Sequence, residues 1–73
     1  MKVYMILFKE TVTDDEIADY TNKLEESGGR LKYDYSPLMK AMAAWIPDDC
    51  IQSFSRDPIV ESMEPDGIAT TQG

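Results

Sequence analysis

The sequence predicts an α+β fold of the ferredoxin-like type, with a four-stranded antiparallel sheet and two helices on one of its faces. Two observations lead to this prediction. Apolar residues recur at strand or helix spacing in six segments, and these segments follow one another in the order β-α-β-β-α-β. The 73 residues suffice for one domain only, and a hydrophobic content of 42% is ordinary for a globular domain.

The first predicted element is a strand from Lys2 to Phe8 that is apolar on both faces. Its alternate residues form two sets, which are Tyr4, Ile6 and Phe8 on one side and Val3, Met5 and Leu7 on the other. Because a strand that is apolar on both faces is covered on both, we expect it in the centre of the sheet.

A helix is predicted to follow, beginning with a capping box at Thr13 and Glu16. The apolar residues that then recur at the spacing of one helix face are Ile17, Tyr20 and Leu24. Gly28-Gly29 is expected to end the helix, because glycine readily takes the left-handed conformation found there.

Two further strands are predicted on either side of a turn at Ser36-Pro37. In the first, Leu31, Tyr33 and Tyr35 alternate with charged residues, so we expect this strand to be half buried. The second runs from Met39 to Ile46, and its two faces are formed by Met42, Ala44 and Ile46 and by Ala41, Ala43 and Trp45.

A shorter helix and a last strand complete the predicted fold. Pro47-Asp48-Asp49 opens the helix, and Ile51 and Phe54 are three residues apart on its inner side. Asp57-Pro58 ends the helix, since the residue before a proline disfavours helical geometry. The last strand is predicted from Ile59 to Met63.

The charge and the composition argue against several partners. The formal net charge of −7 disfavours nucleic acid, which is bound by Lys and Arg, and disfavours an anionic membrane surface. The longest apolar run, from Val3 to Phe8, has the length of a strand and is too short to span a membrane. Met1 leads directly into that strand, so we expect no signal peptide.

Histidine is absent from the sequence, which removes Ser-His and Cys-His catalysis and most kinds of zinc site. Cys50 is the single cysteine, and we expect it to pack as a small apolar residue without a reactive role. It cannot form an intramolecular disulfide, which fits a reducing, cytoplasmic location. We therefore predict a protein that is not an enzyme, with no catalytic residue, cofactor or metal.

Two helices can cover one face of the sheet only, so the other face is expected to be open. It would carry Ala41, Ala43 and Trp45 beside either apolar set of the first strand. An exposed apolar face of this kind usually marks an interface. The interface could serve a different protein, or it could serve dimerisation of a small interaction or regulatory module.

The C-terminal stretch ends in two acids and a small, uncharged segment. Glu64 and Asp66 are spaced by one residue, and Gly67 is expected to form a turn. We interpret residues 67–73 as an extended tail, of the kind that another protein can accept as an added strand.

Taken in order, these features resemble the propeptide-like inhibitors of subtilisin-like serine proteases. The chain is especially similar to the free-standing fungal members, the mushroom proteinase A inhibitor and the yeast proteinase B inhibitor. The segments that carry the resemblance are Tyr4–Lys9, Gly28-Gly29, Asp57-Pro58, Glu64-Pro65-Asp66 and Ala69–Gln72. They extend over nearly the whole chain, and the ending is most like that of the mushroom inhibitor.

The resemblance implies an inhibitor, monomeric when free, that docks its open sheet face on two surface helices of a subtilisin-like serine protease. The residues on this docking face would be Ala41, Ala43 and Trp45. Glu64 and Asp66 would cap the N-termini of the protease helices, where a negative charge is favourable. The residues in the substrate cleft would be Ala69, Thr70, Thr71, Gln72 and Gly73.

The resemblance leaves two registers for the tail, with either Gln72 or Gly73 at the catalytic serine. We favour Gln72, because Ala69 then reaches a subsite at which these enzymes take an apolar residue. Since propeptides of this family template the folding of their enzymes, the resemblance also implies a second role as a folding aid. A small enzyme is the least supported alternative, because the chain lacks histidine and any cluster of a nucleophile with a base.

Overall fold

The computed structural model describes residues 1–35 and 38–66 and has the predicted ferredoxin-like α+β architecture. Its elements are β1 (Lys2–Phe8), α1 (Asp14–Glu26), β2 (Arg30–Asp34), β3 (Ala41–Ile46), a 3₁₀ turn (Asp48–Cys50), α2 (Ile51–Ser55) and β4 (Val60–Pro65). The strand order is β2-β3-β1-β4, and neighbouring strands are antiparallel. Neither helix in the described part of the chain is long and apolar enough to cross a membrane.

Strand β1 lies in the centre of the sheet, as its two apolar faces predicted. Ile6 and Phe8 are buried in the core. The second apolar set of β1 is therefore on the open side, where Val3, Met5 and Leu7 are each half buried. Val3, Met5 and Leu7 are thus the set of β1 that lies beside Ala41, Ala43 and Trp45 of β3.

The predicted capping box opens α1. The backbone N–H of Glu16 donates to the Thr13 hydroxyl at 3.2 Å, and the N–H of Thr13 donates to the Glu16 carboxylate at 2.9 Å. After the C-cap at Ser27, Gly28 has a φ of 100°, which an L side chain rarely adopts. Local chemistry thus fixes both ends of this helix.

The core is built around Tyr20. Its ring makes edge contacts with Phe8 and Phe54, each with the ring centroids 5.3 Å apart. The phenol donates to the backbone carbonyl of Phe54 at 3.0 Å. Burial raises the pKa of this phenol, and the charge of Asp57 raises it further, so the group stays a neutral donor. The buried cluster consists of Ile6, Phe8, Val12, Tyr20, Leu24, Met42, Ala44, Ile46, Phe54 and Val60.

Cys50 is half buried and packs against this cluster, as expected of a small apolar residue. Two predicted boundaries differ from the structure. Strand β3 begins at Ala41 instead of Met39, and β4 runs from Val60 to Pro65 instead of Ile59 to Met63. The predicted turn at Ser36-Pro37 lies outside the described residues.

The prediction that β2 is half buried was wrong. All five of its residues are exposed, and its register with β3 slips between Leu31 and Tyr33. Leu31 pairs with Ala44, a core residue, whereas Tyr33 pairs with Ala43 on the open side. The bulge at this slip adds one residue to an edge strand, so the side chains no longer alternate with a period of two.

Gly29 is expected to tolerate no side chain, because it lies between α1 and β2 and packs closely against Trp45 of β3 and Leu24 of α1. A Cβ at this position would be 2.6 Å from the backbone oxygen of Trp45 and 2.7 Å from Cδ1 of Leu24. We expect Gly29→Ala to reduce the free energy of unfolding by about 1–3 kcal/mol, measured by urea denaturation. Ser27→Ala at the exposed C-cap is the control, and equal midpoints for the two variants would contradict this packing.

Candidate functional site

The open side of the sheet is the candidate site, and its pairing register arranges the side chains in rows across the strands. The row at the end where β4 stops contains Arg30, Trp45 and Val3. The middle row contains Tyr33, Ala43, Met5 and Glu64, and the third contains Ala41, Leu7 and Ser62. We call these residues the open face.

Ala41 and Ala43 of β3 lie in the middle of the open face. Ala41 is 3% exposed and Ala43 is 2% exposed, yet neither belongs to the core cluster. Their neighbours on the flanking strands are larger, with Tyr33 and Met5 beside Ala43 and Leu7 beside Ala41, and little of either alanine is accessible. The accessible part of the open face is therefore supplied by the larger residues around the two alanines.

Trp45 and Tyr33 supply the accessible aromatic surface. Trp45 is 38% exposed and Tyr33 is 58% exposed. The alternation within β3 predicted that Trp45 shares a face with the two alanines, and the register agrees. It could not place Tyr33 there, because the sequence has no signal for the bulge that reverses this side chain.

The acids Glu64 and Asp66 lie at the β4 edge of the open face. Glu64 is exposed and pairs with Met5, and the N–H of Asp66 donates to the carbonyl of Val3 at 2.9 Å. Pro65 lies between them and is tolerated because β4 is an edge strand. The ion pairs between residues in the described ranges do not include either acid.

The predicted cleft residues Ala69, Thr70, Thr71, Gln72 and Gly73 lie outside the described residues. What the described part fixes is the point from which the tail departs. Asp66, the last described residue, is hydrogen-bonded to the central strand through Val3, which belongs to the row that contains Trp45.

Comparison with known proteins places the chain in a family. No family model matches it. Over 72 residues, however, it is 31% identical to serine proteinase inhibitor IA-2 of Pleurotus ostreatus, an alignment that covers 94% of this chain and 95% of the relative. The chain belongs to this serine proteinase inhibitor family. A second Pleurotus ostreatus member of the family, serine proteinase inhibitor IA-1, is 29% identical with the same coverage.

Both serine proteinase inhibitors match over almost the full length of this chain, so the similarity is not confined to one part of it. An uncharacterized protein of Schizosaccharomyces pombe, C338.12, is also similar. It is 25% identical over 65 residues, which are 89% of this chain and 84% of that protein.

Proposed function

We propose that this protein inhibits subtilisin-like serine proteases by docking its open face on the enzyme and placing its C-terminal tail in the substrate cleft. The observation that carries the proposal is the full-length similarity to two proteins named as serine proteinase inhibitors. The resemblance of the sequence to propeptide-like inhibitors supplies the finer specificity for subtilisin-like enzymes.

The open face suits a helical partner surface. The half-buried side chains of Met5 and Leu7 offer apolar area on β1, beside the exposed ring of Trp45 on β3. Contacts of this kind exclude water and favour association in proportion to the apolar area covered.

The acids suit the N-termini of partner helices. The first N–H groups of a helix have no partner within the helix and carry a partial positive charge. Glu64 extends from the open face at the β4 edge, and Asp66 follows where the strand ends. Each could therefore accept hydrogen bonds from one helix of the protease, as the resemblance implies for these positions.

The tail is proposed to enter the cleft as an extended strand. Seven residues from 67 to 73 can span roughly 23–25 Å when extended. Main-chain hydrogen bonds to the strands that line a cleft supply affinity. Anchoring the start of the tail at Asp66 reduces the ordering cost of binding.

Inhibition kinetics test this proposal. We expect the protein to inhibit subtilisin competitively at a one-to-one ratio and to have little effect on trypsin, which has a different fold and surface. Hydrolysis of a chromogenic peptide by each enzyme at increasing inhibitor concentration gives the two inhibition constants. Inhibition of trypsin alone would contradict the subtilisin-like specificity while leaving the family assignment intact.

The two acids are expected to contribute jointly to binding. Glu64→Ala with Asp66→Ala removes two charged caps, each contributing about 0.3–1 kcal/mol and up to ~2 kcal/mol when partly buried, so the inhibition constant should rise about tenfold or more. The control is Asp19→Ala with Glu25→Ala, which removes the same charge from the exposed side of α1. Equal inhibition constants for the two folded variants would leave Glu64 and Asp66 without a binding role.

We extend the proposal to a role as a folding aid, on the basis of the resemblance to propeptides. Acid-unfolded subtilisin should regain its native circular dichroism faster when the protein is added than when an equal amount of the tail peptide is added, a readout that inhibition does not mask. Equal rates of recovery would remove this second role and leave inhibition unaffected.

A further inference from the structure

The β2 edge of the open face carries two bases beside an exposed aromatic side chain. Arg30 pairs directly with Trp45 in the sheet, and Nζ of Lys32 lies 6.0 Å from the centroid of the Trp45 ring. Both bases are exposed. The face of an indole ring attracts a cation at this separation, so Trp45 keeps Lys32 close to the open face.

These two bases have no acidic partner within the described part of the chain. The ion pairs there join Lys23 to Asp57 and the amino terminus to Asp48. The full sequence has 14 acids and only 7 bases, so the acids are numerous enough for every base to have an acidic partner within the chain. Bases on an open face that have no acidic partner among the described residues can interact with acids of another molecule.

The open face carries opposite charges at its two edges. Arg30 and Lys32 lie at the β2 edge, whereas Glu64 lies at the β4 edge, three strands away. With strands about 4.8 Å apart, the two charged edges are separated by roughly 14 Å. A partner that covers the whole face must therefore present opposite charges at two separate places.

We propose that Arg30, Lys32 and Trp45 form a second contact point, which binds carboxylates on the surface of the target protease. This inference rests on the proposed function and adds to it a basis for selectivity among proteases. Complementary charge raises the association rate and excludes partners with like charge at the same place. Proteases with acids opposite the β2 edge are then accepted, and those with bases there are rejected.

A paired charge reversal tests the inference with subtilisin as the probe. The variant Arg30→Glu with Lys32→Glu is compared with Lys2→Glu and Arg56→Glu, which changes the net charge equally at exposed positions away from the open face. We expect the first variant to raise the inhibition constant about tenfold or more, mainly through slower association, and the difference to shrink at high salt. The control should change it less than about threefold.

Equal inhibition constants for the two variants would overturn the second contact point while the proposed function stands. If the wild-type protein does not inhibit subtilisin at all, the proposed function fails first and the contact point falls with it. The two failures are thus distinguishable in one assay.

Trp45 provides a readout that does not depend on activity, because it is the only tryptophan in the chain. With 5-fluorotryptophan at this position, the single ¹⁹F resonance should shift when subtilisin is added. Sedimentation of the free protein is expected to show a monomer. A dimer that the Arg30→Glu, Lys32→Glu variant dissociates would assign these bases to a second copy of the chain and overturn the inference.

Discussion

Deletion of Thr70 to Gly73 is expected to leave the fold intact and to remove most of the inhibition of subtilisin. The deletion begins four residues after Asp66, which is the last point at which the described chain is bonded to the sheet. The open face would still be able to dock on the protease, but the proposed contacts of the tail with the substrate cleft would be lost. Two linked contacts bind with an affinity roughly 10²–10⁴-fold higher than either contact alone. We therefore expect the inhibition constant to rise by a factor in this range.

Deletion of Gly73 alone is the matched control for the tail. With Gln72 at the catalytic serine, Gly73 lies on the leaving-group side, so its removal should leave the inhibition constant nearly unchanged. Urea denaturation should give the same midpoint for all three proteins. If the protein that lacks residues 70–73 inhibits as strongly as the full chain, the tail does not act in the cleft.

Met42→Ala is expected to convert a lasting inhibitor into a short-lived one. Met42 is the second residue of β3, is 2% exposed and belongs to the core cluster. Its truncation should reduce the free energy of unfolding by about 2–5 kcal/mol, a large share of the 5–15 kcal/mol that domains typically have. A larger unfolded fraction offers the protease many cleavable bonds, so inhibition should begin normally and then fade as the variant is digested.

Met39→Ala is the control for this substitution, because Met39 is 49% exposed and lies only three residues earlier in the chain. Its effect on stability should stay within about 0.5 kcal/mol. Urea denaturation gives both stabilities, and the recovery of protease activity over hours gives the persistence of inhibition. If a destabilised Met42→Ala variant inhibits for as long as the wild type, the stability of the fold does not determine the duration of inhibition.

The parts of the fold that depend on residues close together in the sequence could be predicted from the sequence. Thr13 and Glu16 form their capping box within one turn, and Gly28 ends the same helix, so local chemistry suffices in both cases. The slip between Leu31 and Tyr33 could not be predicted in this way. It depends on how an edge strand fits against β3, and a period-two pattern continues through a bulge without any visible break.

The candidate site was partly predictable for the same reason. The alternation within β3 placed Ala41, Ala43 and Trp45 on one face, and the register agrees. It could not show that the two alanines are almost fully buried, because exposure depends on side chains from other strands. The basic pair at the β2 edge was also missed, since Lys32 reaches Trp45 through a contact between strands.

The central claim is that the body and the tail bind the protease together, and binding to subtilisin with a free or a blocked active site tests it most directly. Isothermal titration would compare the active enzyme with enzyme whose catalytic serine carries a phenylmethylsulfonyl group. We predict tight one-to-one binding to the active enzyme and much weaker binding to the blocked enzyme, because the added group occupies the place proposed for the end of the tail. Equal affinity for both enzymes, or no binding to either, would contradict the account.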